Sequence, residues 1–340
     1  MANHFDFQIR GESCLYVGSA TELLGDLLAG EDAYLITDEQ IAQLYPDLLG
    51  HLPRIVISGG EEHKSLSTIE QIHRRLIDLG ADRRSFVVGL GGGIVTDMAG
   101  FAASTYMRGI RFGFVSTTLL GQVDASIGGK NGVNVGGYKN MAGTFNQPSF
   151  VVLDPAFLAT LPDREFRAGL AEVIKSAIID DKSLFDLLEK HTLEGLRGDL
   201  ELLGKVVRRA VGVKVRIVER DLRESGDRRL LNLGHTLAHA IEKCSQAMNH
   251  GEAVAVGLKL VSEAAQRMGL LAKSDAARIG ALLDRYQFTV EPPVEVARLV
   301  SEMVKDKKSV GSQIDLILPC SIGQCRVERV AKERLTQLFL

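Results

Sequence analysis

The sequence predicts a two-part α/β protein: an α/β domain with a mostly parallel sheet over residues 1–160, then a mostly α-helical domain over 161–340. Three observations predict it. In the first half, short apolar runs alternate with segments of helical period. In the second half, segments of helical period follow one another with hardly a strand between them. The texture changes at Pro162, and no repeat or low-complexity run interrupts either half. Strands joined through helices must run parallel, because a helical crossover returns the chain to the same end of the sheet.

Ala33–Thr37, Arg54–Ser58, Phe86–Leu90, Phe112–Ser116 and Phe150–Leu153 read as strands, being short, apolar and ended by Gly, Asp or Thr. Ser67–Leu79 and Ile94–Met107 read as helices, with Ser65 or Ser67 able to cap the first. Beyond Pro162, Asp163 reads as the cap of a helix on which Phe166, Leu170, Val173, Ile174 and Ala177 recur at helical spacing. Further helices are expected over Leu184–Glu189, Leu202–Glu219, His235–Lys243, Ala253–Met268, Ser274–Tyr286 and Val294–Lys305. Gln313–Leu318 and Gln324–Val327 read as a small β appendage.

Composition excludes some classes. The charge is 40 basic against 43 acidic residues, net −3, which argues against a nucleic-acid binder held by a bulk positive field. No stretch approaches the roughly 20 apolar residues that span a bilayer, so no membrane partner is expected. The N-terminus shows no basic segment followed by an apolar run, and Cys14, Cys244, Cys320 and Cys325 are scattered. A cytoplasmic protein with reduced thiols is the simplest expectation.

Two glycine-rich segments stand out. Gly89-Leu-Gly91-Gly92-Gly93 follows a strand and opens a helix, so free backbone amides there could meet a pyrophosphate. It matches neither the Rossmann fingerprint nor a Walker A loop, and a plain tight turn is the alternative. Asp38, at a strand end, could accept from ribose hydroxyls. Gln122 to Met141, rich in Gly, Lys, Asn and Asp, reads as a long irregular loop; Lys130, Lys139 and Asn140 offer donors for phosphate or carboxylate, and a solvated loop is the alternative.

The second half carries a histidine cluster. His235 and His239 lie four apart on one helix face, and His250 stands where the next helix begins. That is ligand spacing for a divalent metal, although a capped or packed pair would look the same. Lys214 falls on the apolar stripe of Val207, Val211 and Val218, so it either snorkels or points into a site. Arg208, Arg209, Arg216 and Arg220 read as the solvated face, and Glu172 with Lys175 reads equally well as an exposed ion pair.

Six motifs then fall in one order: Gly91-Gly-Gly-Ile-Val-Thr-Asp97, Gln122-Val-Asp-Ala-Ser-Ile-Gly-Gly-Lys130, Lys139-Asn140, Gly169-Leu-Ala-Glu172-Val-Ile-Lys175, Asn232-Leu-Gly-His-Thr and His250-Gly-Glu-Ala-Val. In this the chain resembles the 3-dehydroquinate synthases, among the sugar-phosphate cyclases, over at least residues 33–310. The resemblance implies an active site in the cleft between an NAD-binding and a metal-binding domain. It implies Glu172, His235 and His250 as ligands of Zn²⁺ or Co²⁺, with His239 turned toward the substrate phosphate. It implies substrate contacts at Asp124, Lys130, Asn140, Lys175, Lys214, Arg228, Asn232 and Lys307, and an acidic site residue at Glu224. Arg108 matches an arginine that crosses a homodimer interface. Asp38, Glu61, Lys64, Gly92, Gly93, Asp97, Thr117, Thr118 and Lys139 match NAD⁺ contacts.

Four departures accompany the match: Thr96 where many members have Gly, Gly136-Gly137-Tyr138 where a Pro-x-Gly turn is common, Ala238 for a Gly, and a short loop before His250. The reaction implied is conversion of 3-deoxy-D-arabino-heptulosonate 7-phosphate to 3-dehydroquinate and phosphate, with NAD used catalytically. A substrate with two anionic groups accounts for the basic set, and Lys214, Arg228 and Asn232 favour one with a carboxylate. A related cyclase and a metal-dependent polyol or glycerol-phosphate dehydrogenase remain as alternatives.

Overall fold

The computed structural model describes residues 5–224, 226–245, 247–305 and 312–340. The chain divides into two compact units, 1–161 and 162–340.

The first unit contains β1 (Phe7–Ile9), β2 (Ser13–Val17), α1 (Ala20–Leu27), β3 (Ala33–Asp38), α2 (Glu39–Leu44), β4 (Arg54–Ile57), α3 (Leu66–Asp78), β5 (Phe86–Gly91), α4 (Gly93–Thr105), β6 (Arg111–Ser116), β7 (Lys130–Val135), β8 (Tyr138–Phe145) and β9 (Phe150–Leu153). Seven strands form one sheet in the order β1-β2-β9-β6-β5-β3-β4. Every pairing in it is parallel except β1 with β2. The expected mostly parallel sheet is present. β5 is buried along its whole length, which is why it reads as an unbroken apolar run rather than an alternating one. Ser65 is the cap of α3, accepting from Thr68 N–H.

The segment from Gln122 to Met141 is a correction. It is not one irregular loop: after a π-helical turn at Gly121–Ala125, β7 and β8 pair as an antiparallel hairpin. Gly136 and Gly137 form its two-residue turn, both at positive φ (58° and 79°), the backbone that matches the twist of paired strands.

The second unit contains α5 (Asp163–Asp180), α6 (Lys182–Leu188), α7 (Leu193–Gly198), α8 (Leu200–Arg220), α9 (His235–Cys244), α10 (His250–Arg267), α11 (Lys273–Arg285), α12 (Val296–Lys305), the antiparallel pair β10 (Gln313–Ser321) and β11 (Gln324–Ala331), and α13 (Leu335–Phe339). α5 is central: Ala168 through Ile179 are buried without a break, and the helix packs on α8 and α10. Pro162, not Asp163, occupies its N-cap position; the Asp163 carboxylate instead meets Arg197 at 2.8 Å. α10 packs on α5, α9, α11 and β10.

Candidate functional site

Glu172 lies in mid-α5, while His235 and His250 are the first residues of α9 and α10. Two helix N-termini, each carrying partial positive charge, therefore come with their histidines to one buried carboxylate. The start of α10 is set by a capping box: Asn249 accepts from Glu252 N–H, and the Glu252 side chain accepts from Asn249 N–H. This moves the helix start from the expected Ala253 back to His250. Arg164, in the first turn of α5, clamps Glu252 through two hydrogen bonds of 2.9 and 2.7 Å. Gly251 lets the helices touch backbone to backbone; a Cβ there would sit 2.2 Å from Ala168 Cα.

Together these contacts bring one ligand atom each from Glu172, His235 and His250 within 4.8 Å of one another, the one such grouping among the described residues. His235 Nε2 and His250 Nε2 lie 3.5 and 3.3 Å from Glu172 Oε1. Lys175 Nζ contacts Glu172 Oε2. The two side chains are 1% and 2% exposed, so the pair is buried rather than the exposed pair that its spacing equally allowed. Neither Glu172 carboxylate oxygen accepts a hydrogen bond of ordinary geometry from the described residues. A buried carboxylate left so is expensive unless it serves a ligand.

The electrostatics are asymmetric. Burial alone would keep Glu172 protonated, but Lys175, then His235 and His250, hold its carboxyl well below the usual range. Burial, aided by the Lys175 cation and opposed by Glu172, drives His235 down to about 3. Burial also opposes charge on His250, yet Glu172 and Glu242 outweigh it and push it up to about 9. A carboxylate and two imidazoles suit Zn²⁺ or Co²⁺, and three protein ligands leave a coordination position for substrate. The residues fit a divalent metal.

His239 stands beside this group, its ring meeting that of His235 edge-on with centroids 5.7 Å apart. Glu224 Oε1 accepts from Asn232 Nδ2 at 2.6 Å, with Glu224 in the left-handed region at φ 60°. Arg228 is buried in the turn Asp227–Asn232 and donates to Leu222 O. Lys214 lies on the buried face of α8, while Arg208, Arg209, Arg216 and Arg220 are exposed as expected. Lys307 lies outside the described residues.

In the first unit, β3 and β5 are neighbours, yet the chain leaves β3 for β4 on one side and β5 for β6 on the other. That reversal makes a crevice at the carboxyl ends of the strands, the usual ligand position of such sheets. Gly92 and Gly93 open α4 there, where a Cβ would lie 2.9 Å from Thr118 Cγ2 or from Ala125 Cβ. Thr37 Oγ1, Ser116 Oγ and Thr117 Oγ1, at the ends of β3 and β6, are buried with no hydrogen-bond partner among the described residues. Orphaned hydroxyls beside the N-terminus of α4, at the carboxyl ends of parallel strands, fit a dinucleotide.

Lys64, 5% exposed, donates to Asp97 Oδ2 at 2.5 Å and to Asn140 Oδ1 at 2.6 Å. Asn140 N–H donates to Asn134 Oδ1, and Asn134 Nδ2 donates to Glu61 Oε1. Four of the expected contact residues thus join one network. Asp38 Oδ1 is committed to capping α2. Thr118 Oγ1 accepts from Gly121 N–H, and Asp124 lies in the π-helical turn. Lys130 and Lys139 are exposed on the hairpin, and Arg108 is exposed beyond α4. Glu242, which sequence reasoning missed, places Oε1 3.5 Å from His250 Nδ1. Its spacing of seven from His235, two helical turns, was the available signal.

Residues 54–168 match the 3-dehydroquinate synthase N-terminal family and residues 169–309 the 3-dehydroquinate synthase C-terminal family. A 3-dehydroquinate synthase from Halorhodospira halophila is 42% identical, covering 96% of this chain and 95% of its own. Among solved structures, a 2-epi-5-epi-valiolone synthase from Streptomyces hygroscopicus with NAD⁺ and Zn²⁺ bound superimposes with a TM-score of 0.87 at 28% identity, covering 99% of this chain and 97% of that one. A 2-deoxy-scyllo-inosose synthase complexed with carbaglucose-6-phosphate, NAD⁺ and Co²⁺ gives 0.84 at 26% identity, covering 96% of each. With a buried glutamate and two histidines gathered from three helices and a glycine cradle on a parallel sheet, the chain belongs to the 3-dehydroquinate synthase family.

Proposed function

We propose that the chain converts 3-deoxy-D-arabino-heptulosonate 7-phosphate to 3-dehydroquinate and phosphate, as a carbon–oxygen lyase of the shikimate pathway, using NAD⁺ and one Zn²⁺ or Co²⁺. The observation that carries this is the buried Glu172–His235–His250 group with Lys175 against it, in a chain 42% identical to a 3-dehydroquinate synthase. Glu172, His235 and His250 would hold the metal, and Gly92, Gly93, Thr117 and Thr118 would cradle the dinucleotide, with Asp38, Glu61, Lys64, Asp97 and Lys139 around it.

When bound, the metal supplies a Lewis acid that acidifies a substrate hydroxyl, and the dinucleotide accepts and returns a hydride. The chain's own residues bind and orient. Lys175, Lys214 and Arg228 are cations held in buried positions, where charge acts strongly on a carboxylate or phosphate. Lys130 and the Asn140 amide add donors from the hairpin, and Asp124 an acceptor from the turn before it. Glu224 fixes the Asn232 amide through its 2.6 Å hydrogen bond, so that amide is presented in one orientation. His239, whose ring meets that of His235, would hold or move a proton at the leaving phosphate. Lys307 completes the basic set.

The reading includes a cytoplasmic homodimer in which Arg108 serves the neighbouring protomer. Met107, Arg108 and Gly109 all lie at positive φ (47°, 72° and 113°), and such strain in non-glycine residues persists where a position has a dedicated role. All four cysteines are free, which suits a reducing compartment. No helix among the described residues is long and apolar enough to cross a membrane.

The test is release of phosphate from the heptulosonate phosphate with no net NADH, repeated after chelation. Phosphate release that stops on chelation and returns with Zn²⁺ or Co²⁺ is expected. Stoichiometric NADH would point to a dehydrogenase, and full activity without metal would refute the metal's role.

A further inference from the structure

We propose that Glu242 is a positioning residue for the metal group, its carboxylate holding the Nδ1–H of His250 so that Nε2 faces Glu172. The inference rests on the reading of Glu172, His235 and His250 as metal ligands. The two ring nitrogens of His250 address two different carboxylates: Nε2 lies 3.3 Å from Glu172 Oε1 and Nδ1 lies 3.5 Å from Glu242 Oε1. An imidazole that donates from Nδ1 keeps its lone pair on Nε2, so the acceptor at one nitrogen decides which nitrogen can ligate.

His235 is built the same way with a different acceptor. Its Nδ1 lies 3.2 Å from Leu233 O and its Nε2 points to Glu172. The backbone carbonyl two residues back does for His235 what Glu242 does for His250. Each ring has an acceptor behind it and the same carboxylate in front.

His250 has the greater need of such an acceptor. Its side chain is 29% exposed against 12% for His235, so packing alone constrains its ring less. Glu242 is well placed to supply the constraint. It stands on α9 two turns beyond His235, so one rigid helix carries both a ligand and the group that orients another ligand. Its side chain is 13% exposed, and a carboxylate drawn that far from water is kept where it has a charged or hydrogen-bonding role.

The experiment is metal titration of the purified full chain and its Glu242→Ala and Glu242→Asp variants. Zn²⁺ affinity is read by competition with a chromophoric chelator, Co²⁺ geometry by its visible spectrum, NAD⁺ affinity by equilibrium binding, and metal-free stability by thermal unfolding. Glu242→Ala is expected to lose about 10- to 100-fold in Zn²⁺ affinity and to change the Co²⁺ spectrum, with NAD⁺ affinity unaltered. Glu242→Asp keeps the charge but draws it back by one methylene, and is expected to lose about tenfold; it decides the matter if the alanine variant does not fold. Folded variants with wild-type affinity and an unchanged Co²⁺ spectrum would overturn the role of Glu242, even with a lowered metal-free melting temperature. A wild-type chain that binds neither metal would instead overturn the metal group itself.

Discussion

Gly251→Ala tests how the metal group is assembled. The glycine follows His250, and its α-carbon faces the backbone of α5 at Ala168, one helical turn before Glu172. A Cβ would lie 2.2 Å from Ala168 Cα, 2.5 Å from its oxygen and 2.7 Å from its carbonyl carbon. These are backbone atoms and cannot rotate aside. Ordinary contact begins near 3.4 Å, so the two helices must part by roughly 1.2 Å at this point. Overpacking of that kind costs about 1–3 kcal/mol, or roughly 2 to 10 °C in melting temperature for a unit of this size. The same displacement separates His250 from Glu172, and metal ligands tolerate only about 0.2 Å of error. Zn²⁺ affinity is therefore expected to fall by about tenfold or more, while NAD⁺ affinity is kept. Thermal unfolding without metal and a chelator-competition titration measure the two effects separately. A variant that melts with the wild type and binds Zn²⁺ equally well would refute the claim that this close approach builds the site.

Gly280→Ala is the converse case: Gly280 lies in α11 with no described residue within 4 Å of its absent Cβ, so alanine should raise stability by about 0.5–1 kcal/mol through helix propensity, and a fall in denaturant midpoint would contradict this. At alkaline pH, Tyr286 should destabilise the chain. Burial pushes its phenol up to about 12 from the usual 10.0, slightly offset by Arg285, and its hydroxyl donates to Leu188 O at 3.0 Å. The folded state holds a proton that the unfolded chain releases near pH 10. The contribution of about 3 kcal/mol is thus intact below pH 10 and lost as pH rises toward 12. The chain has six tyrosines, so the difference in phenolate absorbance between the wild type and Tyr286→Phe isolates this one, and an alkaline unfolding profile left unchanged in Tyr286→Phe would refute it.

What the sequence discloses is what one segment decides by itself. The apolar run Phe86–Gly91 and the stripe on α8 need no partner to be recognised, because period and composition already state how many faces will be buried. The hairpin β7–β8 is hidden because β8 is largely exposed and carries no alternation; Gly136-Gly137 is the sign that such a turn exists. The start of α10 was legible in Asn249 and Glu252, a cap pattern that periodicity alone overlooks.

The metal group is of another kind. Spacing on one helix pairs His235 with His239, and those rings do meet, edge-on. The atoms that converge, however, come from α5, α9 and α10, and what makes them converge is the missing side chain of Gly251 against Ala168 and the Arg164 clamp on Glu252. The same holds for Glu172 and Lys175: three residues apart reads alike for a surface pair and a buried one, and the difference is made by the helices α8 and α10 laid over α5. In His250-Gly-Glu252, only the histidine joins the group with Glu172 and His235. The glycine sets the distance between helices and the glutamate sets where the helix begins, so two thirds of a motif that looks chemical is geometry in the service of one imidazole.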